Sequence, residues 1–349
     1  MRRTPTLLPK CASLFIAAAA FAEENWDNVL ERYNPLEKPP NPTEVHINMF
    51  IRSMRNFDSN DQSFQAQIIL WHQWNEPRLI YGNDTVPYQM IDRARIWKPD
   101  TFFTNELDGW RHSIVKDNAL VRVYPNGDIL MSERLSLTLM CPINLAALPF
   151  DSQVCSIRIA SYGYTTDSLI YTWKEGDPIQ VSPSLYLPGF RLTQFDTDYC
   201  TSQTSIGEYP CLRAEFTFKR IWNYHLLQVY IPMTMLCVIA WFTFWVNDTL
   251  MRITMLMFTL ALAVLETGVI NYYSFPCAGS TKTIDYFTGV GITFIFGALA
   301  EYVIVKWLEG KEEKETTANR MDALCRILYP IAYIGFVALY FLTVLPKRY

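Results

Sequence analysis

The distribution of apolar and polar residues changes once along the 349-residue chain, near Leu226. Before this point, short apolar runs are mixed with aromatic, charged and turn-forming residues. After it come four apolar segments, each long enough to cross a bilayer as a helix. We predict these helices over residues 226–246, 250–272, 283–308 and 324–345. The chain therefore divides into a polar domain, residues 23–222, and an apolar domain, residues 223–349.

The polar domain is predicted to be an all-β sandwich of the immunoglobulin-like type. Residues 134–139 have an apolar side chain at every second position, which is the period of a strand with one buried face. Asn126-Gly127 lies between two such runs and favours a hairpin turn, because this dipeptide tolerates positive φ. The predicted strand runs are His46–Phe50, Phe64–Trp74, Leu120–Tyr124, Ile129–Leu139, Val154–Ala160 and Leu212–Phe218. The expected fold is this sandwich followed by a four-helix transmembrane bundle.

Residues 1–22 are predicted to be a secretory signal peptide. Positive charge at Met1–Arg3 precedes an alanine-rich apolar stretch, and Ala20-Phe21-Ala22 suits cleavage. An extra membrane anchor is the alternative, but the apolar run is shorter than the ~20 residues that a span needs. With residues 23–222 outside the cell, four crossings return the C-terminus to the outside and place the short loop 309–323 in the cytosol. This topology predicts a multi-pass plasma-membrane protein.

The expected compartment changes how the eight cysteines are interpreted, since an oxidising environment favours disulfides. Cys141 with Cys155 and Cys200 with Cys211 are neighbouring pairs in the polar domain, each separated by a span that a short loop can close. Asn83 begins an Asn-Asp-Thr glycosylation sequence. We therefore expect two disulfides and a glycan on Asn83.

Charge and motifs exclude other classes of function. The formal net charge is −4 and contains no basic block, so the sequence gives no reason to expect a nucleic-acid partner. It contains no nucleophile elbow, no His and Cys cluster with metal spacing and no phosphate-binding glycine loop. We therefore expect neither an enzyme nor a cofactor or metal site.

The second apolar segment carries polar residues at membrane depth, where they cost free energy unless they face water or partners. Thr254, Phe258, Ala261 and Leu265 recur at spacings of three and four, which places them on one helical face. Several chains that arrange this face around an axis would form a pore. A packed helix in a monomeric bundle is the alternative that the spacing leaves open.

The segment Cys141–Cys155 resembles the signature loop of the Cys-loop receptors. Thirteen residues separate its cysteines, and Pro149-Phe150-Asp151 matches the core of the family's loop, although Leu148 stands where the family often has an aromatic residue. Further matching motifs are Trp97–Asp100, Ser161–Thr166 and Thr243–Trp245. The sequence thus resembles subunits of pentameric ligand-gated ion channels, above all the glutamate-gated chloride channels of invertebrates and the glycine receptors.

This resemblance implies a homo- or heteropentamer in lipid, at the plasma membrane and postsynaptic, that passes chloride or other permeant ions through an axial pore. It also implies a small-molecule neurotransmitter bound between subunits. Aromatic residues would face its ammonium group through cation–π contacts, and an arginine would hold its carboxylate through its planar fork of donors. The residues that match this ligand site are Arg52, Phe102, Ser132, Ser161, Tyr162 and Tyr209.

Three positions of the ligand site depart from the patterns of related subunits. Trp71 stands where a second carboxylate-binding arginine is expected, Ile206 replaces a threonine of the binding loop, and Ala160 replaces an acid found in amine-gated relatives. The sequence therefore leaves the identity of the ligand open.

The resemblance also suggests roles in conduction and coupling. Arg252 follows Leu250-Met251 where anion channels have Pro-Ala-Arg, and five copies at the inner mouth would attract anions. Asp151 and Arg220 resemble an interfacial charge pair that couples the domains, next to a linker that ends at Lys282. A non-conducting partner subunit, and a membrane-anchored enzyme or adhesion module, are the alternative functions.

Overall fold

The computed structural model describes residues 26–40, 42–81, 88–274, 281–310 and 315–344, with only the main chain of 270–274 and 315. The predicted signal peptide, Asn83 and most of the linker before Lys282 lie outside these residues. A short helix over residues 26–32 precedes a β-sandwich, and four long helices follow. This arrangement confirms the predicted fold class.

Two sheets form the sandwich. The strands are β1 (Thr43–Asp58), β2 (Ser63–Asn75), β3 (Gln89–Met90), β4 (Thr101–Phe103), β5 (Glu106–Arg111), β6 (Ala119–Val123), β7 (Asp128–Met140), β8 (Ser152–Ser161), β9 (Leu169–Trp173), β10 (Ile179–Val181), β11 (Phe190–Tyr199), β12 (Ser202–Thr204), β13 (Gly207–Tyr209) and β14 (Cys211–Arg220). The larger sheet has the order β10-β1-β2-β7-β6-β3, with β9 also paired to β1 and β5 to β7. The smaller sheet has the order β11-β14-β8-β4, and β12 and β13 form a separate hairpin.

Alternation of side chains builds the core between the sheets. Along β2, residues 64, 66, 68 and 70 are all buried while the residues between them are half-buried on the other face. All six predicted strand runs fall on observed strands. The sequence prediction missed β11, which is exposed over most of its length and so has no buried face to produce an alternating pattern.

A β-bulge interrupts the pairing of β1 with β2. Ile51 pairs with Ile68 and Ser53 pairs with Gln67, so Arg52 has no partner residue in the ladder. Ile51 and Met54 both face the core, and the two residues between them lie on the outer face. The bulge therefore places an extra side chain, Arg52, on the outside of the larger sheet.

The four helices are α1 (Asn223–Trp245), α2 (Thr249–Ser274), α3 (Thr283–Glu309) and α4 (Glu315–Val344). Each contains a window long and apolar enough to cross a membrane. The predicted start of the fourth helix at 324 is corrected to Glu315, so residues 315–323 of the predicted loop 309–323 are helical. The extension forms because Ala318 and Met321 pack against Val305 and Leu308 of α3.

A buried histidine in the sandwich makes stability depend on pH. His72 is 1% exposed and its Nε2 lies 3.1 Å from Thr101 Oγ1. Burial lowers the pKa of His72 from 6.5 to about 4, so the unfolded chain binds more protons than the native chain between these pH values. The free energy of unfolding is therefore expected to fall by about 2 kcal/mol when the pH is lowered from 7.5 to 5.

This prediction is checked by thermal unfolding of the full-length protein in detergent at both pH values. His72→Gln is expected to lose the part of the pH dependence that comes from His72, about 2 kcal/mol, whereas His46→Gln, at an exposed histidine of β1, is expected to keep it. Equal pH dependence in the His72→Gln variant and the unaltered protein would contradict the assignment.

Candidate ligand-binding, coupling and pore sites

Asp100 holds the loop that follows β8. Its Oδ1 accepts a hydrogen bond from Ser161 Oγ at 2.6 Å, and its Oδ2 accepts one from the Gly163 N–H at 2.5 Å. Ser161 Oγ also accepts a hydrogen bond from the Tyr164 N–H at 2.9 Å. The Ser161 side chain is buried and its hydroxyl positions the loop, while ligand binding by Ser161 stays a prediction.

The loop presents an aromatic side chain at one end of the smaller sheet. Tyr162 is 78% exposed, and its ring lies edge-on to that of Phe102, 5.7 Å away between centroids. Phe102 pairs with Ala160 between β4 and β8. Tyr209 is half-buried and precedes Pro210, whose carbonyl accepts the Ser161 N–H. The structure thus places Phe102, Tyr162 and Tyr209 at the same end of the smaller sheet.

A disulfide-closed hairpin extends beside these aromatic residues. Cys200 is bonded to Cys211, and the Glu208 carbonyl accepts the Thr166 N–H at 2.8 Å. Gly207 has φ of +150°, and a Cβ there would lie 2.7 Å from the Thr165 side chain, so this approach requires glycine. Ile206, at the turn, is 79% exposed. The hairpin therefore carries an apolar tip held against the loop that follows β8.

The other predicted ligand residues lie on the larger sheet. Trp71 of β2 pairs directly with Ser132 of β7, and both are half-buried. Arg52 projects from the bulge of β1 and is exposed. Among the described residues, no hydrogen bond, ion pair or ring contact joins this group to Phe102 or Tyr162. One chain therefore carries two separate groups of candidate ligand residues.

Sequence reasoning missed a second arginine on this outer face. Arg134 lies two positions from Ser132 on β7, and its guanidinium donates to Gln67 Oε1 at 3.2 Å. His112 lies 2.7 Å from Ser136 Oγ and 3.1 Å from Gln67 Nε2. Partial burial and the nearby charges of Arg134 and Arg52 lower the pKa of His112. Ser132 is matched by family resemblance, and the period of two along β7 places Arg134 on the same face.

Two cavities in the sandwich do not unite these groups. One, of about 890 Å³, is lined by Thr43, Tyr124 and Asp128 and contains none of the predicted ligand residues. Another, of about 520 Å³, lies behind Phe102 and reaches His72. Neither of these two cavities is lined by Arg52 or Ser132.

A family model of the neurotransmitter-gated ion-channel ligand-binding domain matches residues 22–222 of this chain. The chain belongs to the neurotransmitter-gated ion-channel family. A glutamate-gated chloride channel of Drosophila melanogaster is 43% identical over 271 residues, which are 76% of this chain and 59% of the relative. A glutamate-gated chloride channel subunit beta of Haemonchus contortus is 32% identical over 320 residues, 85% of this chain and 73% of the relative. The chain thus spans less than two thirds of the fly relative's length.

The loop closed by the Cys141–Cys155 disulfide packs against the end of the helix bundle that lies nearest the sandwich. Leu145 and Leu148 are buried in the same apolar cluster as the helices. The Ala146 carbonyl accepts two hydrogen bonds from Thr283, from its N–H at 3.0 Å and its hydroxyl at 2.6 Å. The loop therefore contacts the first residue of α3 directly.

A buried ion pair lies at the same junction. Arg220 Nε and Nη2 donate to the two carboxylate oxygens of Asp151 at 2.7 and 2.9 Å. The side chains are 12% and 2% exposed. Lys282 is also buried, and its backbone N–H donates to Asp285 at the start of α3. The three predicted coupling residues, Asp151, Arg220 and Lys282, thus lie where the two domains meet.

Helix α2 has one buried and one exposed face. Phe258 and Leu265 are 65% and 62% exposed within the chain, and Thr254 and Ala261 are exposed on the same face. The residues buried against the other helices are Arg252, Leu256, Thr259 and Ala263. The four predicted pore residues from Thr254 to Leu265 therefore share a surface that this chain leaves uncovered.

The predicted pore position of Arg252 is corrected. Its side chain is 7% exposed and lies inside the bundle, 2.8 Å from Glu301 Oε2 and 3.0 Å from Asp322 Oδ1. The reason is helical geometry, since Arg252 precedes Thr254 by two residues and so points about 200° away from it. Arg252 does not belong to the exposed face of α2.

Proposed function

We propose that this chain is a subunit of a pentameric neurotransmitter-gated anion channel without catalytic activity. The observation that carries the proposal is the division of the ligand residues between two sheets. Phe102, Tyr162 and Tyr209 at one end of the smaller sheet would meet Arg52 and Ser132 on the larger sheet of the next subunit. Ligand binding at such a junction changes the contacts between subunits, as gating requires.

The ligand is proposed to be a small amino acid that carries a carboxylate, glutamate in the first instance. The exposed guanidinium of Arg52 suits the carboxylate, and the ring of Tyr162 suits the ammonium group. The names of both relatives include glutamate. Trp71 stands in place of one arginine of the family's pattern, while Arg134 supplies another guanidinium on the same outer face of the larger sheet.

Chloride is the proposed permeant ion. The support comes from the similarity to the fly and nematode chloride channels. Arg252 does not contribute to this argument, because Glu301 and Asp322 neutralise its charge inside the bundle. The proposed topology follows the predicted signal peptide, with both termini of the mature chain outside the cell at the plasma membrane, and a postsynaptic location is part of the proposal.

Whole-cell recording tests the proposal. Cells that express only this chain are exposed to glutamate, glycine, γ-aminobutyrate, monoamines, acetylcholine and acid. A ligand-gated current whose reversal potential follows the chloride gradient is expected, and a current that follows the sodium gradient would contradict it. A silent chain at the cell surface would favour a non-conducting partner subunit, which the bulky exposed Phe258 on the pore face makes the second candidate.

Trp71→Arg is expected to raise glutamate sensitivity about tenfold or more. The change adds a guanidinium beside Ser132, and a hydrogen bond to a charged group contributes about 1.5–3 kcal/mol. Concentration–response curves provide the measurement, and Trp71→Leu is the matched control for loss of the indole alone. An equal response in both variants would show that position 71 does not contact the carboxylate.

A further inference from the structure

Four charged side chains form a cluster at the end of the helix bundle away from the sandwich. Arg252 of α2 bridges Glu301 of α3 at 2.8 Å and Asp322 of α4 at 3.0 Å. Asp322 also accepts a hydrogen bond from Arg326, one turn later on α4, at 2.7 Å. The two positive and two negative charges balance. We call these residues the Arg252 cluster.

The cluster also holds the end of α1. Arg326 Nε donates to the carbonyl of Phe244 at 3.0 Å, and the Arg326 guanidinium lies 5.6 Å from the ring of Trp245. The guanidinium of Arg252 lies 5.3 Å from the ring of Phe244 and 4.9 Å from the ring of Tyr302. All four helices therefore contribute a side chain or carbonyl to one buried network.

The geometry of this network constrains α2 in particular. Arg252 is the member on α2, and its planar fork donates to one oxygen of each of two carboxylates that come from two other helices. Rotation of α2 about its axis would break at least one of these contacts and leave a carboxylate buried without its partner. The exposed face from Thr254 to Leu265 lies on the opposite side of the helix, so the direction of that face depends on where Arg252 is held.

We propose that Arg252 is a positioning residue that fixes the rotation of α2, and so directs the face formed by Thr254, Phe258, Ala261 and Leu265 toward the pore axis. The proposal rests on the proposed channel function. In this role the arginine acts through Glu301 and Asp322 and makes no contact with permeant ions.

Reaction of introduced cysteines with a water-soluble, membrane-impermeant thiol reagent tests the orientation of α2 without requiring a current. The full-length chain carries alanine at Cys237, Cys277 and Cys325, and single cysteines are then introduced by Phe258→Cys on the exposed face or by Met257→Cys or Leu262→Cys on either side of it. Labelling of intact cells is followed as the mass shift of surface protein.

In the parent chain, Phe258→Cys is expected to label faster than the flanking positions. The relevant ratio is the labelling rate of Phe258→Cys divided by that of the faster of the two flanking cysteines. Adding Arg252→Gln is expected to lower this ratio by about tenfold, because thiol reaction follows exposure to water. Asp322→Asn, which keeps the side-chain shape and leaves the contact between Arg252 and Glu301 in place, is expected to shift the ratio in the same direction. Lys306→Gln, in an exposed ion pair with Glu309 on α3, is the matched control and is expected to leave the ratio unchanged.

The possible results separate the two proposals. Unreactive Phe258→Cys in the parent chain would overturn the proposed pore, and the role of Arg252 with it. Reactive Phe258→Cys with an unchanged ratio in the Arg252→Gln and Asp322→Asn chains would overturn the role of Arg252 alone. If Arg252→Gln prevents arrival at the cell surface, the ratio measured with Asp322→Asn decides.

Discussion

Arg52→Ala is expected to lower the apparent affinity for a carboxylate agonist about 30-fold or more. Truncating one partner of a charge pair at an interface costs about 2–5 kcal/mol, and the lower value already corresponds to roughly 30-fold. Arg52 is exposed and has no partner in the β1–β2 ladder, so the variant is expected to fold and reach the surface normally. The measurement is an agonist concentration–response curve at matched surface expression, or binding of labelled agonist to the same cells.

Arg55→Ala provides the control, because Arg55 is also exposed and lies on the same strand. It removes the same charge from β1 away from the proposed site, so its curve is expected to stay within a small factor of the unaltered subunit. Equal shifts in the two variants would point to general electrostatics at the subunit surface. An Arg52→Ala curve identical to that of the unaltered subunit would remove Arg52 from the ligand site.

Arg220→Gln is expected to abolish most of the gated current and to destabilise the protein. The change leaves the Asp151 carboxylate, 2% exposed, without its guanidinium, and breaking a buried pair in this way costs about 3–5 kcal/mol. Asp151→Asn combined with Arg220→Gln is expected to cost less than the two single changes together, because the double variant leaves no buried charge unpaired. Thermal stability and agonist-evoked current are measured for the unaltered subunit, the two single variants and the double variant, which together form a double-mutant cycle.

A second ion pair of the smaller sheet gives the matched control. Arg213 lies 2.5 Å from Asp198, which is largely exposed, so Arg213→Gln is expected to change neither stability nor current measurably. If the stability losses of Asp151→Asn and Arg220→Gln simply add in the double variant, the two side chains act independently. Loss of current with unchanged stability would place the pair in gating alone.

The fold was predictable where one face of an element is buried. Burial alternates along β2 from Phe64 to Trp74, and apolar residues alternate over 134–139 of β7, so the period of two is visible in the sequence. Strand β11 is exposed on both faces over most of its length, and the first turns of α4 carry a polar sequence whose apolar contacts come from α3. Those contacts depend on tertiary packing, so local periodicity could not predict either element.

The candidate sites were likewise predictable from local sequence only in part. Two sequence motifs predicted the positions of Tyr162 and Asp151, but their ligand and gating roles stay predictions. Helical geometry was enough to separate Arg252 from Thr254, yet its partners Glu301 and Asp322 lie on two other helices, where no sequence spacing identifies them. The expectation of an anion-attracting ring gave this arginine the wrong surroundings.

Because of the bulge in β1, pairing in the sheet does not require a particular side chain at position 52. Ile51 and Ser53 continue the pairing on either side, so the ladder from Val45 to Arg55 would be regular if Arg52 were deleted. Selection can therefore exchange the side chain at this position without loss of a core contact or a cross-strand pair. Under the proposed function, a single replacement at this position would change the side chain offered to the transmitter at a residue that the sheet does not need.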